Sequence, residues 1–367
     1  MQFIMSGQVF RLEDLDDAIN DAFIELHAAY LSNQPLNWAD FEGKANAFFN
    51  RADNTAGLQD KFFTNFSVIW RSLLASGQLD AAEHIWQMAL QPALSWESQN
   101  KGRFIHKGTP FYFWGLTSIL KGDLDRGFTL IHQSVGEDCR TDAVKFPDTP
   151  GFAFATLNYV KTDQAFRDWV LFQVKKLSET IQTYSKLYNT LLTLDDFQKR
   201  FLTNPPKVDT IFLFVYTLAR LNRLQDVPAY ALASDFAGQM EMNLLFDLAL
   251  VIDAAIKAKN TASWKFIDHA TYLSTKAGLE VSKEKFGEIN GEFGNDFDRT
   301  LATILSGGFR FKDGSALSGV ENDIAITYGV RNHAAHNISS VPTIWKEFDN
   351  IKQRLFNTLF LAVEALY

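Results

Sequence analysis

An arginine, an amide and a histidine fall within six residues, Arg331-Asn332-His333-Ala334-Ala335-His336. A guanidinium is a planar fork of donors that matches the oxygens of a phosphate. An imidazole exchanges protons near neutral pH and can serve as general base or general acid. Brought together, these groups can hold a phosphodiester and move its protons. Asn332 and His336 are four apart and share one face of a helix. Arg331 and His336 are five apart, about 140° around an ideal helix. They converge only if the helix loosens near its end or the long arginine side chain wraps round. Asn337 and Pro342 lie just downstream and place a helix end there. The structural alternative is an arginine paired with an acid on a neighbouring helix, and histidines favoured at a helix C-terminus by the dipole alone.

The other chemically suggestive residues carry weaker signals. His333 and His336 are three apart, which suits a metal pair, but a site needs a third ligand. His269, Asp323 or Glu321 would have to supply it through space, so no metal and no cofactor is expected. Arg310 and Lys312, in the Phe309-Arg310-Phe311-Lys312 loop, are weak candidates for contact with a phosphate backbone, and a solvated loop is the simpler reading. Gly287, Gly291 and Gly294 lack the Lys-Ser/Thr of a phosphate-binding loop and read as a flexible connection. Phe111-Tyr112-Phe113-Trp114 could stack bases, but helical spacing assigns it to a core. His84, His106 and His132 have no nucleophile near them in sequence and read as structural. Cys139, placed in a loop beside Arg140, is a lone and weak thiol signal.

The elements that must position the motif are helices. Apolar residues recur at three- and four-residue spacings almost throughout, and strict alternation is rare, so the chain is expected to be all-α. Residues 61–135 hold two similar hairpins, IWRSLLASGQLDAAEHIWQMAL and FWGLTSILKGDLDRGFTLIHQSV. Gly77 and Gly122 occupy the turns. Small residues (Ala82 and Ala89; Gly127 and Ser134) flank a bulky one (Trp86; Ile131), a pattern for close helix packing. This resembles the tetratricopeptide repeat, although the two glycines are 45 residues apart rather than one regular repeat length. The resemblance implies a surface for a protein partner. Residues 136–152 read as a loop and TNPPKV (203–208) as the clearest linker, followed by a hairpin of Ile211–Leu221 and Val227–Phe236. Helices are expected over 241–258, 262–278, 320–336 and 343–366. A domain boundary near 238 divides a hairpin region, 1–237, from a C-terminal bundle of four or five helices, 238–367.

Composition narrows the function. The net charge of −8 excludes a chain coated in basic surface, and residues 240–367 hold 13 basic and 16 acidic residues, so nucleic-acid contact must be local. A single cysteine excludes an internal disulfide framework and fits a cytoplasmic setting. No secretory leader and no membrane span are expected.

On the last long stripe, Val320, Ile324, Tyr328, Arg331 and Ala335 are spaced by four, four, three and four, so an arginine interrupts an apolar row. A buried guanidinium requires a partner. With that context, YGVRNHAAHNI resembles the motif of the HEPN family: arginine, polar residue, three residues, histidine, late in a helix of a small α-bundle. The resemblance covers six residues and the bundle. It implies a metal-independent endoribonuclease acting as a homodimer, with Arg331, Asn332 and His336 as the active residues and His333 in a variable slot. It implies 2′,3′-cyclic phosphate ends and a role as a toxin or phage-defence effector. The alternative is a non-catalytic helical adaptor that binds a nucleotide or a protein.

Overall fold

The three- and four-residue apolar spacing is realised as sixteen α-helices among the described residues, preceded by a short hairpin of strands. The computed structural model describes residues 2–5, 8–32, 34, 37–203, 208–224, 227, 235–337 and 341–367. The chain divides into two units, residues 1–154 with 161–166, and residues 155–160 with 167–367.

In the first unit, β1 (Gln2–Met5) pairs antiparallel with β2 (Gln8–Arg11), an element the sequence pattern did not announce. Six helices follow: α1 (Asp17–Ser32), α2 (Trp38–Phe49), α3 (Ala56–Ala75), α4 (Leu79–Gln99), α5 (Gly108–Leu120) and α6 (Leu124–Thr141). α7 (Pro150–Ala155) comes next. The α3–α4 and α5–α6 hairpins are the two read from the repeat-like pattern. Gly77 has φ 74° and Gly122 φ 90°, a left-handed conformation that a residue with a Cβ rarely adopts. It lets the Gln78 amide donate to the Leu73 carbonyl, and the Asp123 amide to that of Ser118, each at 2.9 Å, closing both helices in the same way. The small residues do bring helices together. A Cβ on Gly127 would meet the Ile119 side chain and the Gly115 carbonyl, so α5 and α6 touch backbone to backbone. Trp86 and Ile131 are fully buried. A cluster of Phe23, Phe41, Phe62 and Phe66, with centroids 5.1–5.6 Å apart, fills the space between α1, α2 and α3. Tyr112 and Phe113 belong to the same interior, as helical spacing required. Residues 136–141 are not loop but the last turns of α6, and Cys139 is exposed on that helix.

The second unit contains α8 (Arg167–Tyr188), the short α9 (Leu194–Phe197) continuing as a π-helical turn (Gln198–Leu202), and α10 (Val208–Arg223). Then come α11 (Asp235–Lys259), α12 (Phe266–Lys276), α13 (Lys283–Asn295), α14 (Phe297–Leu305), α15 (Gly319–His336) and α16 (Pro342–Leu366). α16 kinks at Glu347. The helices expected at 320–336 and 343–366 are found within a residue.

Two expectations are corrected. The parting of the chain lies near 155–167 rather than 238, because α8 and α10 pack on the C-terminal helices. The Tyr184 hydroxyl donates to Glu364, Arg220 pairs with Asp247 at 2.8 Å, and Phe197 packs against Phe214 and Phe360. Among the described residues the C-terminal stretch holds six helices rather than four or five, because Gly287, Gly291 and Gly294 lie on α13. Its interior face is Phe286, Ile289 and Phe293, Ser282 caps its start, and the glycines face open space. Within the expected linker and the hairpin after it, residues 204–207 and 228–234 lie outside the described residues. No helix among the described residues is long and apolar enough to cross a membrane.

Candidate active site at the end of α15

α15 starts with a capping box: the Glu321 amide donates to the Ser318 hydroxyl, and the Ser318 amide to the Glu321 carboxylate at 2.7 Å. From Asp323 to Val330 every residue is buried, so this helix runs through the middle of its unit. It surfaces at the motif, with Arg331, Asn332, His333 and Ala334 half-buried, and Ala335, His336 and Asn337 exposed. The helix stays regular to His336, and the extended Asn337 ends it.

Because the helix does not loosen, Arg331 and His336 point to different sides. Arg331 reaches α11, where its Nη2 lies 3.2 Å from the Asp253 carboxylate, and its guanidinium sits 5.3 Å over the Phe266 ring of α12. A second, longer bond runs from Nη1 to the Asn332 amide oxygen at 3.4 Å. The buried Nε has no hydrogen-bond partner among the described residues. The arginine therefore does have the neighbouring carboxylate that the structural alternative supposed, yet its side chain keeps 26% of its surface exposed.

Asp253 faces a second side chain as well. Its other oxygen lies 2.6 Å from Nδ1 of His269, whose Nε2 faces the Ser263 carbonyl at 3.1 Å. His269 is fully buried in this arrangement. Asp323 and Glu321 are likewise committed. Asp323 accepts from Arg354 and Asn357, each at 2.9 Å, and from the Tyr188 hydroxyl, and burial pushes its carboxyl up from the ordinary value. Glu321 closes its own helix cap. None of the three candidate third ligands joins His333 and His336, and no group of three or more metal-ligating side chains occurs among the described residues.

The opposite side of the motif lines a solvent-open pocket of about 370 Å³. Asn332, His333 and His336 contribute from α15, Asn290 and Phe293 from α13, and Phe297 from α14. The Asn332 amide nitrogen donates to Asn290 Oδ1 at 3.3 Å, and the Tyr328 hydroxyl donates to the same oxygen at 3.3 Å. Burial raises the Tyr328 phenol, so it stays a donor at neutral pH. The His333 ring lies flat on Phe297 with centroids 3.8 Å apart. The Asn337 side-chain amide lies 3.4 Å from His333 Nδ1.

Of the predicted residues, Asn332, His333 and His336 therefore share one pocket, and Arg331 does not line it but faces Asp253 and Phe266 on the other side of α15. Arg310 and Lys312 do not line it either. The Arg310 guanidinium donates to the Gly307 and Phe309 carbonyls of its own loop, and the Lys312 amide donates to Glu288. The residues missed from sequence are Asp253, Phe266 and Asn290, and His269, considered there only as a metal ligand, instead faces Asp253. A single acid in the apolar run LALVIDAAI was a readable sign of Asp253; Asn290 carried none. Comparison with protein-family models, with curated proteins and with solved structures gave no match.

Proposed function

We propose that the chain is an endoribonuclease of the HEPN type that cleaves RNA without a metal cofactor, as a homodimer, in the cytoplasm, in the manner of a toxin or phage-defence effector. The observation that carries this reading is the meeting of Asn332, His333 and His336 at one open pocket, with Arg331 one residue away. Attack by a ribose 2′-hydroxyl needs a base, an acid and a group that stabilises charge on the phosphate. His336, exposed at the pocket rim, supplies one proton-transfer group per chain, and a two-fold mate supplies the other.

Arg331 has room to take part. Only one of its bonds is to a charged group, and Asp253 keeps His269 as a partner if the guanidinium swings to a phosphate. A charge-assisted bond to phosphate would then replace one to carboxylate. The tetratricopeptide-like hairpins would hold a controlling protein partner.

A second reading, a non-catalytic helical adaptor, is favoured by one observation: the Arg331–Asp253 pair stacked on Phe266 looks after a buried charge without any ligand. RNA digestion in the presence of a chelator separates the two. The ribonuclease reading expects 2′,3′-cyclic phosphate and 5′-hydroxyl ends from the native chain, and loss of at least 100-fold in rate for His336→Ala, on the order of a general-acid or general-base contribution. No cleavage by the native chain leaves the adaptor, and undiminished cleavage by His336→Ala removes His336 from the active site.

A further inference from the structure

The pocket under the motif is lined unlike a phosphate site. Its polar groups are three asparagines, Asn290, Asn332 and Asn337, with His333 and His336, and its apolar walls are Phe293 and Phe297. Among the described residues that line it there is no lysine, no arginine and no carboxylate. Amides that donate and accept beside flat aromatic walls suit a planar, uncharged heterocycle. The volume of about 370 Å³ falls within the range of small-ligand sites.

We infer that this pocket takes an unpaired nucleobase of RNA, so that the adjoining phosphate lies at the rim beside His336. That the occupant belongs to RNA rests on the ribonuclease reading; that it is a nucleobase rests on the lining. Asn290 is the reading group. Its oxygen accepts from Tyr328 and Asn332, and these two bonds orient the amide and leave its nitrogen to donate to a base edge. The Phe297 ring already holds one planar ring, that of His333, face to face. Unpaired bases are recognised in this way, by stacking on aromatic rings and by bonds to their exposed edges. Gly329 lets α15 lie directly on Phe293, since a Cβ there would fall within 2.3–2.7 Å of the ring. Gly294 leaves the mouth open, since a Cβ there meets nothing within 4 Å.

Gly294→Leu is therefore the test variant. Its Cβ meets nothing within 4 Å at a position that lines the pocket, so the larger side chain stands at the mouth, and leucine suits a helix better than glycine does. The four ribonucleosides, which lack phosphate, are titrated into the full chain and followed by saturation-transfer NMR. At least one should bind the native chain, and Gly294→Leu should weaken it tenfold or more. Asn290→Ala, an exposed position, provides the same comparison if the leucine variant does not fold. In parallel, cut sites are mapped on an unstructured RNA. The native chain should cut beside one base at least about fivefold more often than beside the others, and both variants should lose that bias. Equal nucleoside binding by native and plugged chains, or no binding, overturns the base site. Cleavage without base bias overturns it too and leaves the ribonuclease reading standing. Selective nucleoside binding with no cleavage by the native chain supports the base site and removes the ribonuclease reading instead.

Discussion

Arg331 is where sequence and structure bear on each other most directly. An arginine breaking an apolar row was legible from spacing, and so was the need for a partner. The partner was not, because Asp253 lies 78 positions earlier and its approach depends on how α11 and α15 cross. The structure ties three charged or ionisable groups into one row, Arg331, Asp253 and His269. Removing the middle one should therefore be felt twice. Asp253→Asn keeps the shape but withdraws the charge facing both Arg331 Nη2 at 3.2 Å and His269 Nδ1 at 2.6 Å. It should lower stability by about 1–3 kcal/mol, the usual cost of leaving buried donors poorly satisfied. Arg331→Met should cost less, since that side chain is partly in water and its aliphatic stem is conserved. Urea unfolding of the two variants and of the double variant measures the coupling. Strict additivity would mean that the pair does not hold α15 to α11.

Helices were the most legible part of this chain, since a 3.6-residue period needs no knowledge of partners. The ends of α15 and α16 were readable because Ser318, Glu321, Asn337 and Pro342 carry boundary chemistry. α13 was misread because three glycines argue against a helix, while its Phe286–Ile289–Phe293 stripe and the Ser282 cap outweigh them. Burial between α11 and α16 creates a feature that no local pattern shows. Glu241 is 5% exposed, and its Oε2 has no hydrogen-bond partner among the described residues. Burial, aided by Asp349 and opposed by Lys352, pushes its carboxyl up to about 7 from 4.5. The folded form therefore prefers the protonated acid. Below pH 4.5 both states hold the proton and the group costs nothing. As pH rises from 4.5 to 7 the unfolded chain ionises first, and stability falls; above 7 the penalty is constant. Glu241→Gln removes it. The variant should match the native chain at pH 4 and exceed it by about 1–3 kcal/mol at pH 8, read from denaturant midpoints across that range. A gap that does not change with pH would mean that Glu241 is ionised in the folded protein.

At the scale of the whole molecule, the all-α class and the N-terminal hairpins followed from composition and period, whereas the division near 155–167 did not. No proline, glycine or charge run marks it more strongly than the linker at 203–208, and only the packing of α8 and α10 on α11 and α16 sets it. The same limit applies to assembly. A single chain places His333 flat against Phe297 and leaves His336 exposed, so it presents one exposed imidazole to the rim where two proton transfers are needed. A net charge of −8 also gives no general attraction to RNA, so catalysis depends on a well-formed local site rather than on loose encounter. If two copies complete that site, activity per chain must fall when the copies separate. On serial dilution, the rate of RNA cleavage per chain should drop in step with the dimer fraction measured by sedimentation at the same concentrations, and adding inactive His336→Ala chains should lower it further by forming mixed dimers. A rate per chain that stays constant through the transition to monomer would show that one copy of His336 suffices, and the acid would then have to be sought in His333.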